Sequence, residues 1–310
     1  MKVTSIRMSR RSRALLVVGL VPALLAGAAR AGQPTYPTSQ AAADAFAAAA
    51  AKEDDGQALL EILGPEHRDA LVAGDPAAWR QSMARLHRAA AEAMTVAPDG
   101  ADRAILVLGR EGWPMPIPVV KGEQGWSFDT AAGIEEINDR RIGRNELSAI
   151  DVATFYPEAQ AEYASRDRDG DEVLEYATRL ISSPGKQDGL YWPEEAGADS
   201  SPFGPLVAEA ADYAAYRKAG EPYHGYFFKI LTRQGANPPG GKYDYVINGN
   251  MIAGYALVAW PADYGNSGIM TFVVNQRGVV YEKDLGADTA KLAADMKEYN
   301  PDSTWSPATP

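Results

Sequence analysis

Gly268-Ile269-Met270-Thr271-Phe272-Val273-Val274-Asn275, then Gln276-Arg277, then Gly278-Val279-Val280-Tyr281-Glu282: two runs rich in β-branched and aromatic residues, split by a two-residue break, predict a β-hairpin. Upstream, Ala253-Gly254-Tyr255-Ala256-Leu257-Val258-Ala259-Trp260-Pro261 and Tyr226-Phe227-Phe228-Lys229-Ile230-Leu231 read as further strands. The Gly- and Pro-rich run from Gly235 to Gly241 supplies a turn between them. Helices are expected from Leu206 to Lys218 and from Ala290 to Lys297, so 201–310 reads as an antiparallel β-rich unit with packed helices.

Residues 32–130 read as helices first and strands second. Ser39 is placed to cap a helix running through Ala51, a second helix from Gln57 to Leu63 stops at Gly64, and Asp75-Pro76 opens a third. That third helix sets Trp79, Met83, Leu86 and Ala90 on one stripe. Ala104 to Leu108 reads as a buried strand, Pro116 to Val120 as an edge strand that tolerates proline, and Gly125 to Phe128 as a third strand after the turn 121–124. Helices followed by a small antiparallel sheet, central helices and a C-terminal antiparallel sheet make the fold class α+β.

The centre, 131–200, holds the chemical hint. Asn145 is placed to cap a helix with Leu147, Ile150, Ala153 and Phe155 on its apolar side, and Pro157 is expected to break it. The acidic stretch Asp167-Arg168-Asp169-Gly170-Asp171-Glu172-Val173-Leu174-Glu175-Tyr176-Ala177 follows, and Val173, Leu174, Ala177 and Leu180-Ile181 repeat at helical spacing after it. Oxygen ligands at positions one, three and five open a calcium loop, which over 167–178 would place Asp167, Asp169 and Asp171 with the Val173 carbonyl at seven and Glu175 at nine. Glu172 stands where the turn glycine belongs and Thr178 where the bidentate glutamate belongs, so the affinity expected is roughly 10⁻⁴ to 10⁻³ M. The competing reading makes these acids a helix N-terminus, with Asp169 as cap and Asp171 and Glu172 against the dipole.

Residues 1–31 carry a basic n-region (Lys2, Arg7, Arg10, Arg11, Arg13), an apolar run from Ala14 to Ala28 and the A-x-A site Ala29-Arg30-Ala31, the pattern of a cleavable signal peptide. Ser9-Arg10-Arg11 touches the twin-arginine pattern, but Arg13 stands where that signal prefers a bulky apolar residue. The expected location is therefore periplasmic or secreted, by the general secretory route, with twin-arginine export as the alternative. The leader holds six of the 30 basic residues and no acid, so the chain behind it sets 24 bases against 41 acids, a net charge of −17. Such a surface repels nucleic acid and anionic lipid. The chain has no cysteine, hence no disulfide, and no run behind the leader is long and apolar enough to span a bilayer.

Several segments together carry a resemblance: Ile142 to Leu147, Asp167 to Ala177, Pro184-Gly185-Lys186-Gln187-Asp188-Gly189-Leu190-Tyr191-Trp192, Tyr223-His224-Gly225-Tyr226, Ala259 to Gly265, and Tyr281-Glu282-Lys283-Asp284-Leu285-Gly286. They resemble the exported bacterial domain-of-unknown-function family 2950 over nearly the whole chain behind the leader. The resemblance implies an envelope location and no known activity; family members often show Gly where Glu172 stands. The C-terminal strands are loosely similar to those of pilin-like proteins, without the apolar pilin helix, which leaves a sheet-based interaction module as what that likeness implies.

No thiol nucleophile, G-x-S-x-G or H-E-x-x-H occurs, and the Gly235 to Gly241 run lacks the lysine of a phosphate loop. Of the three histidines, His67 and His87 fall on predicted helices among charges, and His224 lies between Tyr223 and Tyr226. Glu135, Glu136, Asp188, Asp263 and Asp284 offer acid and base groups but read more simply as helix surfaces and turn caps. The cluster Asn138-Asp139-Arg140-Arg141 to Arg144-Asn145-Glu146 reads as an ion-pair network clamping the two halves of the chain. Trp126, Tyr255 and Trp260 read as core, while Tyr191 and Trp192 sit on a loop. The reading that follows is a non-enzymatic, exported binding module with a calcium site, its partner an envelope protein or a glycan. The alternative is a carboxylate-dependent envelope hydrolase, aided by His224, acting on a cell-wall or glycan substrate.

Overall fold

Alanine is the best helix former, and the run beginning at Gln40 has nothing to oppose it until Ala51. In the computed structural model, which describes residues 33–52, 54–72, 76–193, 200–204 and 221–309, this run is helix α1 (Ser39–Ala50). Its cap is Thr38 and not Ser39, because Thr38 keeps an extended backbone (φ −142°, ψ 159°) and its hydroxyl accepts the Ala41 N–H at 3.0 Å. Helices α2 (Gln57–Leu63), α3 (Arg68–Val72) and α4 (Pro76–Glu92) follow. Gly56 opens α2 at φ 82°, and a Cβ there would lie 2.9 Å from the side chains of Met83 and Trp79, so both its backbone and its bareness are used. The predicted cap at Asp75, the leader and the predicted helix from Leu206 lie outside the described residues.

Strands β1 (Met94–Pro98), β2 (Arg103–Leu108), β3 (Trp113–Pro114), β4 (Val119–Gly122) and β5 (Gly125–Phe128) form one antiparallel sheet, order β1-β2-β4-β5 with β3 also on β2. The expected proline-tolerant edge strand is corrected here. Pro116 and Pro118 precede β4, which pairs with both β2 and β5, so neither proline removes a ladder donor. Phe46, Leu59, Leu63, Leu106, Leu108, Val119 and Phe128 form the core of this first unit, which ends at Ala132, and Met83, Leu86 and Ala90 of the predicted stripe pack on it.

The second unit runs from Gly133 and owes its core to the remainder of α5 (Thr130–Tyr163) and a sheet. Neither Asn145 nor Pro157 interrupts α5, contrary to expectation. A proline inside a helix costs about 3 kcal/mol. Tyr156 and Tyr163 on either side of it are buried, with Ala153 and Ala159, and burying the two large rings at about 1.5–3 kcal/mol each outweighs that cost. Strand β6 (Tyr226–Leu231) is followed by the short ladder β7 (Arg233–Gln234) with β8 (Tyr243–Asp244), then the hairpin β9 (Val246–Ile247) and β10 (Asn250–Met251). Asn248 and Gly249 turn that hairpin at φ 53° and 100°, the pair of positive values a type I′ turn requires.

Strands β11 (Ala256–Pro261), β12 (Met270–Asn275), β13 (Tyr281–Asp284) and β14 (Ser306–Pro307) complete the main antiparallel sheet, order β14-β13-β12-β11-β6. The hairpin predicted from 268 to 282 is present. Gly278 N–H donates to Asn275 O across the predicted turn, but pairing resumes at Tyr281 instead of Gly278. Helix α6 (Thr289–Asp295) packs on β11, and Lys229 Nζ donates to the Ala293 and Ala294 carbonyls at its C-terminal end. The fold is α+β, and among the described residues no helix is long and apolar enough to cross a membrane.

The largest correction concerns 173–181, predicted helical and found irregular. Its backbone groups pair elsewhere: Tyr176 N–H with Met251 O, Ala177 N–H with the Gln160 side chain, and the Arg179 and Leu180 carbonyls with Leu190 and Tyr191 N–H. The apolar spacing that mimicked a helix is broken by Leu174, which is exposed.

Candidate metal centre

Helix α5 ends where Arg168 caps it. The guanidinium Nε donates to Tyr163 O at 3.0 Å, and the same group lies 5.0 Å from the Tyr163 ring centroid and 5.1 Å from that of Trp192. A cation at a helix C-terminus and over two aromatic faces is favoured by both fields. Burial first, and the Glu175 carboxylate second, push the Tyr163 hydroxyl up to about 12. Arg168 therefore turns back, and the acids on either side of it turn outward and are exposed.

Asp167, Asp169 and Asp171 each bring one carboxylate oxygen within 4.8 Å of the others. Oxygens of one calcium shell lie about 2.3–2.6 Å from the ion, so a spread of this size fits a single shell. Asp167 organises the loop. Its Oδ1 accepts Asp169 N–H at 3.3 Å and Gly170 N–H at 2.7 Å, and its Oδ2 accepts Glu172 N–H at 2.9 Å. The Gly170 and Glu172 donors hold its carboxyl below the usual carboxylate range. Glu172 reaches φ 67°, the left-handed conformation for which the calcium template uses glycine, despite carrying a side chain.

The two remaining predicted ligands divide. Val173 follows directly, its N–H donating to Asp171 Oδ1 at 2.8 Å. Glu175 instead ties the loop to the β9–β10 hairpin, with Oε2 accepting Met251 N–H at 3.0 Å. Its pKa is raised, first by burial and further by Asp169, Asp171 and Asp167, against the Met251 donor. Asn250 completes the tie by donating from Nδ2 to Asp171 Oδ2 at 2.7 Å. The competing reading of these acids as a helix cap is overturned, because no helix starts here. Asn250 was not anticipated; the Asn248-Gly249 turn signal beside it would have found the hairpin that presents it.

The other candidate groups make the following contacts. Asp188 accepts Ser183 N–H at 2.7 Å and Ser183 Oγ–H at 2.8 Å, and these donors lower its pKa although burial opposes them. Asp284 accepts the Tyr264 hydroxyl at 3.0 Å, Asp263 the Asn266 amide at 2.8 Å, and Glu136 pairs with Arg140 at 2.7 Å. The Asn138–Glu146 cluster, expected as an ion-pair network between two halves, is joined to 265–270 by hydrogen bonds within the second unit. Asn138 donates to Gly265 O, Arg141 to Asn266, Asn145 to Ser267 O, and Glu146 Oε1 accepts both Ile269 and Met270 N–H. His87 Nδ1 lies 2.8 Å from Ala50 O, and His67 Nε2 lies 3.8 Å from Glu66; both belong to the first unit. His224, at φ 46°, stands edge-on to Tyr223 in the second. Tyr255 and Trp260 are buried as expected, and Trp126 is half-buried; of the loop pair, Tyr191 packs on the core and Trp192 is buried.

Residues 33–308 match the family described as protein of unknown function DUF2950. No curated protein and no solved structure matches the chain.

Proposed function

The chain belongs to the DUF2950 family of unknown function, and from that premise we propose that it is an exported, non-enzymatic envelope binding protein whose acidic loop takes calcium. The observation that carries the calcium reading is the convergence of the three aspartate oxygens within one coordination sphere. The lowered Asp167 pKa keeps that ligand ionised; Glu175 is raised first by burial and then by the three aspartates, and a divalent cation would reverse the second contribution. Val173 O and a water on Glu175 would extend the shell. The leader pattern and the acid excess support export and a cationic ligand.

The test is thermal unfolding with calcium, magnesium or chelator. A site of roughly 10⁻⁴ to 10⁻³ M in 10 mM calcium contributes about 1.4–2.7 kcal/mol, a rise on the order of 3–10 °C in the midpoint. Asp167→Ala with Asp169→Ala is expected to abolish the rise. An unchanged midpoint in calcium, or a rise that survives the double substitution, removes the loop as the site.

A further inference from the structure

The chain holds eight asparagines. Seven of them engage their side-chain amide in a hydrogen bond, among them Asn145 with Ser267 O at 2.8 Å, Asn250 with Asp171 at 2.7 Å and Asn266 with Asp263 at 2.8 Å. Asn248 makes no such bond among the described residues, and it alone is followed by glycine. Asn248 and Gly249 are both exposed at the tip of the β9–β10 hairpin, where they hold φ 53° and 100°. The Gly249 N–H donates to no carbonyl among the described residues, and a Cβ built on Gly249 would meet nothing within 4 Å. A nucleophilic nitrogen and a carboxamide carbon therefore adjoin on one stretch of chain, with no packing over them and no hydrogen bond to hold either back.

We propose that Asn248-Gly249 is a site of self-modification at which the asparagine becomes aspartate or isoaspartate. The Gly249 nitrogen gives its proton to solvent base and bonds to Asn248 Cγ. The Cγ–Nδ2 bond breaks, ammonia leaves, and a succinimide ring remains. Water then opens the ring: cleavage between the nitrogen and Cγ gives aspartate, and cleavage between the nitrogen and the main-chain carbonyl carbon gives isoaspartate. The sum is asparagine plus water giving the acid plus ammonia, with nothing oxidised or reduced. Either product adds a negative charge at the tip, and isoaspartate also carries an additional methylene in the main chain. The turn between the paired residues Ile247 and Asn250 has only two residues, so an inserted backbone atom displaces that register. Asn250 and Met251 hold the acidic loop through Asp171 and Glu175, and a displaced register loosens both bonds. The reaction needs only this chain and water, so the inference stands apart from the calcium reading.

Trypsin cuts after Lys242 and next after Arg277, so Asn248 is released in one peptide with Asn250, Asn266 and Asn275 as internal standards. The intact protein is aged for weeks in mildly alkaline buffer and digested beside an unaged sample, and the peptide is fragmented by electron transfer, which distinguishes aspartate from isoaspartate. A gain of about one dalton, NH₂ replaced by OH, is expected at Asn248 at a rate about tenfold or more above that at the other three. Asn248→Gly removes the carboxamide and keeps a residue suited to positive φ, so this gain should vanish. Exchange of the Met251 N–H, which donates to Glu175, should speed up in the aged parent and hold its starting rate in the aged variant. No gain at Asn248, or an equally fast gain at a hydrogen-bonded asparagine of the same peptide, overturns the proposal. A gain at Asn248 with Met251 exchange unchanged overturns its effect on the hairpin.

Discussion

Gln160 is fully buried in the second core, and its amide behaves like a strand partner. Oε1 accepts Ala177 N–H at 2.8 Å, while Nε2 donates to Ala177 O at 3.0 Å and to the Tyr156 hydroxyl at 2.8 Å. One side chain thus satisfies both backbone groups of a buried residue in an irregular segment, where no ladder is at hand. Gln160→Met fits the space but orphans those groups at about 1–3 kcal/mol each. Urea unfolding should show a loss on the order of 2–4 kcal/mol, with the slope unchanged; a loss below about 1 kcal/mol would mean water replaces the amide. Tyr156, pushed above its ordinary range by burial before any other cause, stays a neutral hydroxyl in that contact.

At the scale of elements, the acidic loop and the β9–β10 hairpin form one device held by Glu175, Asp171 and Asn250. Glu175 makes that device sensitive to pH. Its folded pKa is raised by burial and by the aspartates, so its protonated form is favoured in the fold. The associated stability is full below the unfolded value of about 4.3 and is lost as pH rises through the folded one. Glu175→Gln keeps an acceptor for Met251 N–H and removes the charge. Its melting midpoint should exceed the parent's at pH 7 without calcium and converge with it below about pH 4. A midpoint difference independent of pH would place the cause in packing and not in charge.

The whole molecule is built on two cores that share no residue, one from Ala42 to Phe128 and one from Ala149 to Tyr299. Phe46 is fully buried in the first, its ring 5.8 Å from that of Phe128. Phe46→Ala is expected to cost about 3–5 kcal/mol in that core. Hydrogen exchange should then speed up at amides of β2, β4 and β5, while β6, β11 and β12 keep the parent's protection. Equal loss of protection in both sets would show the chain to unfold as one cooperative body.

The amino-acid sequence by itself determined what depends on near neighbours: the alanine-rich helix from 39, the hairpin turning at Gln276-Arg277, the fold class, and the alternate spacing that brings Asp167, Asp169 and Asp171 together. Their side chains converge because Asp167 folds back on backbone N–H groups two to five residues ahead. Only the tertiary structure decided the fate of 173–181 and of Pro157. Local periodicity cannot count partners 17 residues away in Gln160 or 76 away in Met251, yet those partners satisfy the backbone that a helix would otherwise have claimed. Pro157 stays inside α5 for the same kind of reason, since the buried side chains around it outweigh a local cost.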